Sequence, residues 1–310
     1  MIKYVRQEAI DRQKWDACIS NSANGLIYAY SWYLDSICEE WHALVENDYE
    51  AVMPLPTRRK LFIQYAFQPF FAQQLGIFSP NPVHTDRTNN FLSAIPRNYS
   101  YIEINLNSHN HPEKKNIVYQ NNKNYILRLY HSYEVLKEKF STNTKRNIED
   151  AITNNLKIVD KIDPIDIINL FRNDRGKTIK RLKTENYKTL HDLMNLLIEK
   201  EKAITLGVYN EENELLAAAF FVAHNNRYIF LFSGNSDEGR EKKAMFLLVN
   251  HFISQHSDIH AKLDFEGSNN PGIARFYKSF GAIKVHYKSF FSNRMIFPLN
   301  MLFTIYRKLR

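Results

Sequence analysis

The chain has 310 residues, 44% of them hydrophobic and 14% aromatic, which is ample for a core and, at roughly 150 residues per domain, predicts two domains. That composition excludes a disordered or fibrous chain. With 41 Lys and Arg against 33 Asp and Glu, the formal net charge of +8 suits an anionic partner such as nucleic acid, a phosphorylated cofactor or anionic lipid, and singles out none of them.

The opening residues, MIKYVRQEAIDRQKW, lack the apolar run of a signal peptide, and no uncharged apolar stretch approaches the roughly 20 residues that span a bilayer. A cytoplasmic location is therefore expected. Cys18 and Cys38 belong to no paired metal or redox spacing and are expected to pack as small apolar residues.

Tyr28 to Cys38 has helical spacing, with Ser31 as a candidate cap. HALVEND and YEAVMPLP read as two strands meeting at Asn47-Asp48, and Pro69 interrupts the aromatic, β-branched run LFIQYAFQPFFAQQLGIF. A short helix over Thr88 to Ile95 is stopped by Pro96, and Tyr99 to Leu106 alternates as a strand does. Polarity rises from Asn107 to Asn124, so this stretch is predicted as a linker. His109 and His111 within it lack a third ligand, and His251 and His256 are five apart on one helix, so no metal site is expected.

The second half starts with the strand YILRLY and one helix from Ser132 through LKEKFSTNTKRNIEDAITNN, then the strand LKIVD. Helices are predicted over Pro164 to Leu182, capped by Asp163, and over Tyr187 to Lys202. ITLGVYNE, ELLAAAFFVA and NRYIFLFSGN form an antiparallel meander. A helix from Glu241 to Gln255, the strand AKLDFEG, a helix from Ile273 to Ser279 and a last strand complete the half. The order is mixed α/β and lacks the strand-helix alternation of a doubly wound sheet. ALVENDYEAVMPL in the first half is echoed by GVYNEENELLAAAF in the second, a hint of duplication.

Asn270-Pro271-x-x-x-x-Phe276-Tyr277-x-x-Phe280-Gly281 is similar to the N-P-x-x-x-x-L-Y-x-x-x-G-F segment of GNAT acyltransferases, which likewise follows a strand. DFEGSNNPGIARFYKSFGA and TNTKRNIEDAITNNLKI resemble the D-F-x-G…G-I-x-x-F-K-x-x-F-G and R-R-N-I-x-x-A-x-x-x-G-L-x-V segments of FemAB-type peptidoglycan aminoacyltransferases. The resemblance implies an α/β fold of two GNAT-like domains, each a mostly antiparallel sheet flanked by helices, here 1–124 and 125–310. It also implies an acyltransferase acting on an amine acceptor, small or lipid-linked, with acyl-CoA (acetyl-CoA) or aminoacyl-tRNA as donor.

Acyl transfer to an amine needs a neutral amine, donors for the oxyanion and a proton for the leaving group. Tyr277 stands where GNAT enzymes often carry that general acid, and would serve as general acid or oxyanion donor; the alternative is a ring packed on the sheet. Asp264 and Glu266, two apart on a predicted strand, would share a face and take the amine's proton or anchor the amine. Capping the next helix, or pairing with Arg275, is their other reading. The GNAT phosphate loop R/Q-x-x-G-x-G/A is represented by Arg240 to Met245, with Lys243 and Met245 at glycine positions. Gly234, Gly239, Arg240, Lys242, Lys243 and Asn270 are the candidate donor contacts. That altered loop speaks against ordinary CoA binding and for aminoacyl-tRNA, and a non-catalytic module binding an anionic polymer or small amine is the alternative.

A tRNA donor would need a basic track, for which Lys137, Lys139, Lys145, Arg146, Arg172, Arg175, Lys177, Lys180, Arg181 and Lys183 are available, as is a plain solvated surface. The tail FPLNMLFTIYRKLR reads either as a helix docked on its own domain or as a peripheral contact with an anionic membrane.

Overall fold

A short strand, Ile2–Val5 (β1), opens the chain, ahead of the helices Arg12–Asn21 (α1) and Ser31–Ile37 (α2). In this computed structural model, residues 1–60, 62–113, 118–267, 269–296, 298 and 300–301 are described. Asp11 caps α1 by accepting from the Lys14 N–H at 3.1 Å. Ser31 is the first residue of α2, not its cap, and its N–H and hydroxyl donate to Asp16 at 2.7 and 2.9 Å.

The strands Glu40–Glu46 (β2), Ala51–Lys60 (β3) and Ile63–Ala66 (β4), the helix Thr85–Ala94 (α3) and the strand Tyr99–Asn105 (β5) follow. β2 and β3 turn at Asn47, whose φ of 50° suits an Asn. Next come Val118–Arg128 (β6), Tyr133–Glu138 (α4), Thr142–Thr153 (α5), Lys157–Asp160 (β7), Pro164–Asn173 (α6) and Thr184–Glu199 (α7). The meander is Ala203–Tyr209 (β8), Leu215–His224 (β9) and Arg227–Asn235 (β10). Asp237–Glu241 (α8), Ala244–Gln255 (α9), Lys262–Asp264 (β11), Pro271–Ser279 (α10) and Ile283–Asn293 (β12) complete the order.

Contacts divide the chain into Met1–Asn122 with His286–Arg310, and Lys123–Val285. Placing all of 125–310 in the second domain is thus corrected at its end. The reason is register: Ser289–Asn293 of β12 pairs antiparallel with Asn105–Tyr101 of β5 in the first unit.

In the first unit, β1 pairs β2, β2 pairs β3 and β3 pairs β4 antiparallel; β4 pairs β5 parallel, and β5 pairs β12 antiparallel. In the second, β7, β8, β9 and β10 pair antiparallel in that order, β10 pairs β11 parallel, and β11 pairs β6 antiparallel. Each unit sets two helices between its first two strands and one long helix before its parallel partner. The sequence echo thus falls on equivalent hairpins, β2-β3 and β8-β9.

Several predicted elements shift, for local reasons. The helix from Ser132 is two helices, because Ser141 accepts from the Thr144 N–H at 3.1 Å and opens a new one. The predicted linker already contains β6 from Val118, and Lys114 to Ile117 lie outside the described residues. The helix from Pro164 ends at Asn173: Asp174 has φ −114° and ψ −102°, and a 3-10 turn, Arg175–Thr178, follows. Arg307, Lys308 and Arg310 of the tail also lie outside the described residues. Cys18 and Cys38 are buried, which pushes their thiols up to about 11 and about 12. Among the described residues no helix is long and apolar enough to cross a membrane, and no three His, Cys, Asp or Glu side chains gather as a metal site.

Candidate active site

β10 and β11 run together over Arg227–Ile229 and Lys262–Asp264, and then part. Their register pairs Ile229 with Asp264, the last residue of β11, so among the described residues Phe230 to Asn235 continue with no strand on that side. A bulge between Phe230 and Phe232 on the β9 side sharpens the bend there. The gap is a cavity of about 800 Å³ within the second unit, floored by β10 and walled by α6, the 3-10 turn, α9 and α10.

Seven aromatic side chains line it, among charged, glycine and aliphatic residues. Phe171 and Phe232 stand 4.6 Å apart between ring centroids, Phe246 and Phe276 4.9 Å, and Phe265 and Tyr277 4.7 Å, with the last pair stacked at 20°. Tyr277 sits on α10, whose start is fixed by Pro271 at its first position and by Asn270, which accepts from the Gly272 and Ile273 N–H groups at 2.9 and 3.3 Å. Burial raises the Tyr277 hydroxyl well above the usual tyrosine range, and the negative charge of Glu266 raises it further. Arg175, on the 3-10 turn, acts in the opposite sense.

Glu266 lines the cavity, but from a loop. β11 ends at Asp264, and Glu266 and Gly267 both adopt left-handed φ, 55° and 64°. Gly267 is needed there, because a Cβ would lie 2.2 Å from the Lys123 carbonyl oxygen. Asp264 and Glu266 therefore do not share a strand face. Asp264 is 2% exposed, ion-paired with Arg227 at 2.5 Å, and accepts from the Glu266 N–H at 2.9 Å. It holds the loop and does not line the cavity; its proposed role as proton acceptor gives way to that of a positioning residue.

The expected donor contacts divide. Gly234 lines the cavity, yet its missing side chain serves packing: a Cβ would stand 2.7 Å from the Phe171 backbone nitrogen and 3.1 Å from the Ile167 carbonyl oxygen. Gly239 lines it too, but its N–H donates to Ser236 Oγ at 2.9 Å, and a Cβ would meet the Leu216 carbonyl oxygen at 2.3 Å. Arg240 faces the cavity while paired with Asp174 at 2.6 Å and with Asp237. Lys242 does not line the cavity, being paired with Glu238 at 2.8 Å. Lys243 lines it at the uncapped start of α9, with φ 61°, and Met245, at the loop pattern's second glycine position, is buried. Asn270 is a helix cap and no part of the cavity wall.

The helix expected over Pro164 to Leu182 gives no hint of the wall formed by Phe171, Asp174, Arg175, Thr178 and Ile179, which arises where that helix stops at Asn173. Gly176 was the available signal: a Cβ there would lie 2.8 Å from the Tyr187 hydroxyl. Of the predicted basic track, Arg172, Lys177 and Lys183 border one shallow groove with Tyr187, and the Arg172 guanidinium lies 4.9 Å from that ring's centroid.

No family model matches the chain, and no curated protein is similar to it in sequence. Among solved structures, it is similar to FemX at 12% identity and a TM-score of 0.65, over 97% of this chain and 99% of that one. It is also similar to a tandem GNAT protein from the clavulanic acid biosynthesis pathway, at 9% identity and 0.56, over 96% and 99%. A conserved Bacteroides thetaiotaomicron protein of unknown function aligns at 9% and 0.55, over 94% and 99%. At these identities the likeness shows the fold alone, a two-unit GNAT-like fold shared with FemX and with the tandem GNAT protein.

Proposed function

We propose that the chain is an N-acyltransferase, moving an acyl or aminoacyl group from an activated thioester or ester to an amine in the cavity of the second unit. One observation carries this reading: where β10 and β11 part, the free edge of β10, Tyr277 and Glu266 border one cavity. The strand edge offers backbone N–H and C=O groups to a bound substrate, as sheet edges do to extended peptides. The amine nitrogen attacks the donor carbonyl carbon; the C–N bond forms and the C–S or C–O bond breaks. Tyr277 gives its proton to the leaving group, the amine's proton passes to Glu266, and water returns it to Tyr277. Burial keeps Tyr277 protonated, which a general acid requires.

The donor favoured is an aminoacyl-tRNA. Arg240 and Lys242 are already neutralised by Asp174, Asp237 and Glu238, and Met245 occupies a position where the GNAT loop has glycine. The acceptor proposed is an amine of a cell-envelope precursor, small or lipid-linked. Its support is the resemblance of residues 264–282 to FemAB-type segments, together with the fold shared with FemX. The occupied Arg240 also favours a second reading, a non-catalytic module that binds an anionic polymer or small amine.

Melting temperature with acetyl-CoA, CoA or mixed aminoacyl-tRNAs separates these readings, because a ligand of the native state raises it by mass action. A rise with aminoacyl-tRNA that fades as salt increases is expected. A salt-insensitive rise with acetyl-CoA would reassign the donor, and no rise with any donor would favour the binding module.

A further inference from the structure

One end of the first unit's sheet gathers exposed cations and exposed apolar side chains that the acyl-transfer reading does not use. β3 finishes in Arg58, Arg59 and Lys60, all exposed, and the turn into β4 carries Phe62, whose relative exposure is 104%. Lys60 is opposite Ile63 across that hairpin. β4 and β5 run parallel with Gln64 opposite Tyr99, so Arg97 and Asn98, just before β5, belong to the same end. The Asn98 amide donates to Gln64 Oε1 at 3.3 Å. β12 is antiparallel to β5 with Asn293 opposite Tyr101, and so leaves the sheet at this end as well. The Arg294 N–H donates to the Ser100 carbonyl at 2.8 Å, and its guanidinium donates to the Pro96 carbonyl at 2.8 Å. Just beyond lie Ile296, 78% exposed, and Met301, 49% exposed.

Four neighbouring strands, about 14 Å across at the usual strand spacing, thus end in five cations and three exposed apolar side chains. Among the described residues, the carboxylate within ion-pair distance of these cations is Glu40, 3.6 Å from Arg59. The β3-β4 ladder pairs the strand backbones up to Lys60 and Ile63, so an apolar side chain at this turn reaches a lipid interface ahead of strands that are already paired. Arginine and lysine stems around it reach back to the phosphate level. Ile296 and Met301 offer neither stacking faces nor hydrogen bonds to a nucleic acid, whereas hydrocarbon accommodates both.

We propose that this end of the sheet is a peripheral membrane-binding face for anionic phospholipid, inserting Phe62 while Arg58, Arg59, Lys60 and Arg97 meet the lipid phosphates. It stands independently of the acyl-transfer reading, since none of these residues belongs to the cavity of the second unit. Binding is peripheral and salt-sensitive, because each cation contributes only about fivefold to affinity at an anionic surface.

The test is cosedimentation of the full chain with vesicles of phosphatidylcholine alone, or with about a third phosphatidylglycerol, at low and physiological salt. Binding to the anionic vesicles alone is expected, weakened about tenfold by Phe62→Ser and more by Lys60→Glu with Arg97→Glu. All these positions are exposed, and an unchanged melting temperature confirms that each variant folds. No sedimentation with anionic vesicles, or equal binding by Phe62→Ser, would overturn the proposal. So would binding to bulk tRNA that the charge variant abolishes and Phe62→Ser leaves intact, with no vesicle binding.

Discussion

The phenol ring of Tyr277 lies nearly flat against Phe265, with centroids 4.7 Å apart and planes 20° from parallel. The stack joins α10 to the residue just after β11 and fixes where the hydroxyl stands. It needs the ring and not the oxygen. Tyr277→Phe should therefore fold with an unchanged melting temperature while kcat/KM for acyl transfer falls about a hundredfold or more, the usual contribution of a placed acid. Unchanged turnover in a folded variant would leave the tyrosine as packing alone.

Asp264 and Glu266 should separate in the laboratory as they do in space. Asp264→Ala leaves the largely buried Arg227 without its carboxylate and the Glu266 N–H without its acceptor, so stability should fall by about 3 kcal/mol in urea denaturation. Glu266→Gln should unfold like the parent protein and lose activity. Equal stability losses in the two variants would contradict this division.

Gly234 offers a direct test of packing against ligand contact. Gly234→Ala pushes a methyl group toward the Phe171 backbone nitrogen and should destabilise by about 1–3 kcal/mol with no donor present. A variant of parental stability with weakened donor binding would restore the role of anion contact.

Release of Arg240 should change what the cavity accepts. Asp174→Ala with Asp237→Ala removes both of its carboxylate partners, and the affinity for pyrophosphate measured by calorimetry should rise. An unchanged affinity would mean that these carboxylates do not hold the arginine back from anions.

His224 should make the protein acid-sensitive in a defined window. Burial lowers its folded pKa from 6.5 to about 4, with Lys202 and Arg227 adding to the effect. Between those values the unfolded chain binds the proton more readily. Stability is therefore intact above about pH 6.5 and declines as pH falls toward 4, by up to about 3 kcal/mol. His224→Gln should flatten that part of the stability profile relative to the parent protein, and an identical slope would reject the assignment.

Sequence pattern carried most of the second unit, because its meander strands are apolar runs separated by turn residues and Asp163 caps α6 as expected, whereas the sequence reading does not mark the caps Ser141 and Asn270. What it missed depends on tertiary contact. β1 and α1 are short and weakly patterned, and β12 belongs to the first unit through pairing with β5, which no local signal encodes. The site was legible where glycine and helix-start chemistry mark it, around Glu266 to Tyr277. It was illegible along Phe171 to Ile179, where the helix breaks at Asp174 so that Arg175 turns into the cavity. The phosphate loop shows the opposite limit: Arg240 looks like an anion contact in sequence, and its partner Asp174, 66 residues away, is visible only in three dimensions.

The most direct test of the central claim is turnover of labelled donor, aminoacyl-tRNA and acetyl-CoA in parallel, with a mixed pool of amines, by the parent protein and by Tyr277→Phe at matched melting temperature. The account predicts amine-dependent transfer from the aminoacyl ester that Tyr277→Phe largely abolishes. Transfer of equal rate in both proteins, or none from either donor, would contradict it.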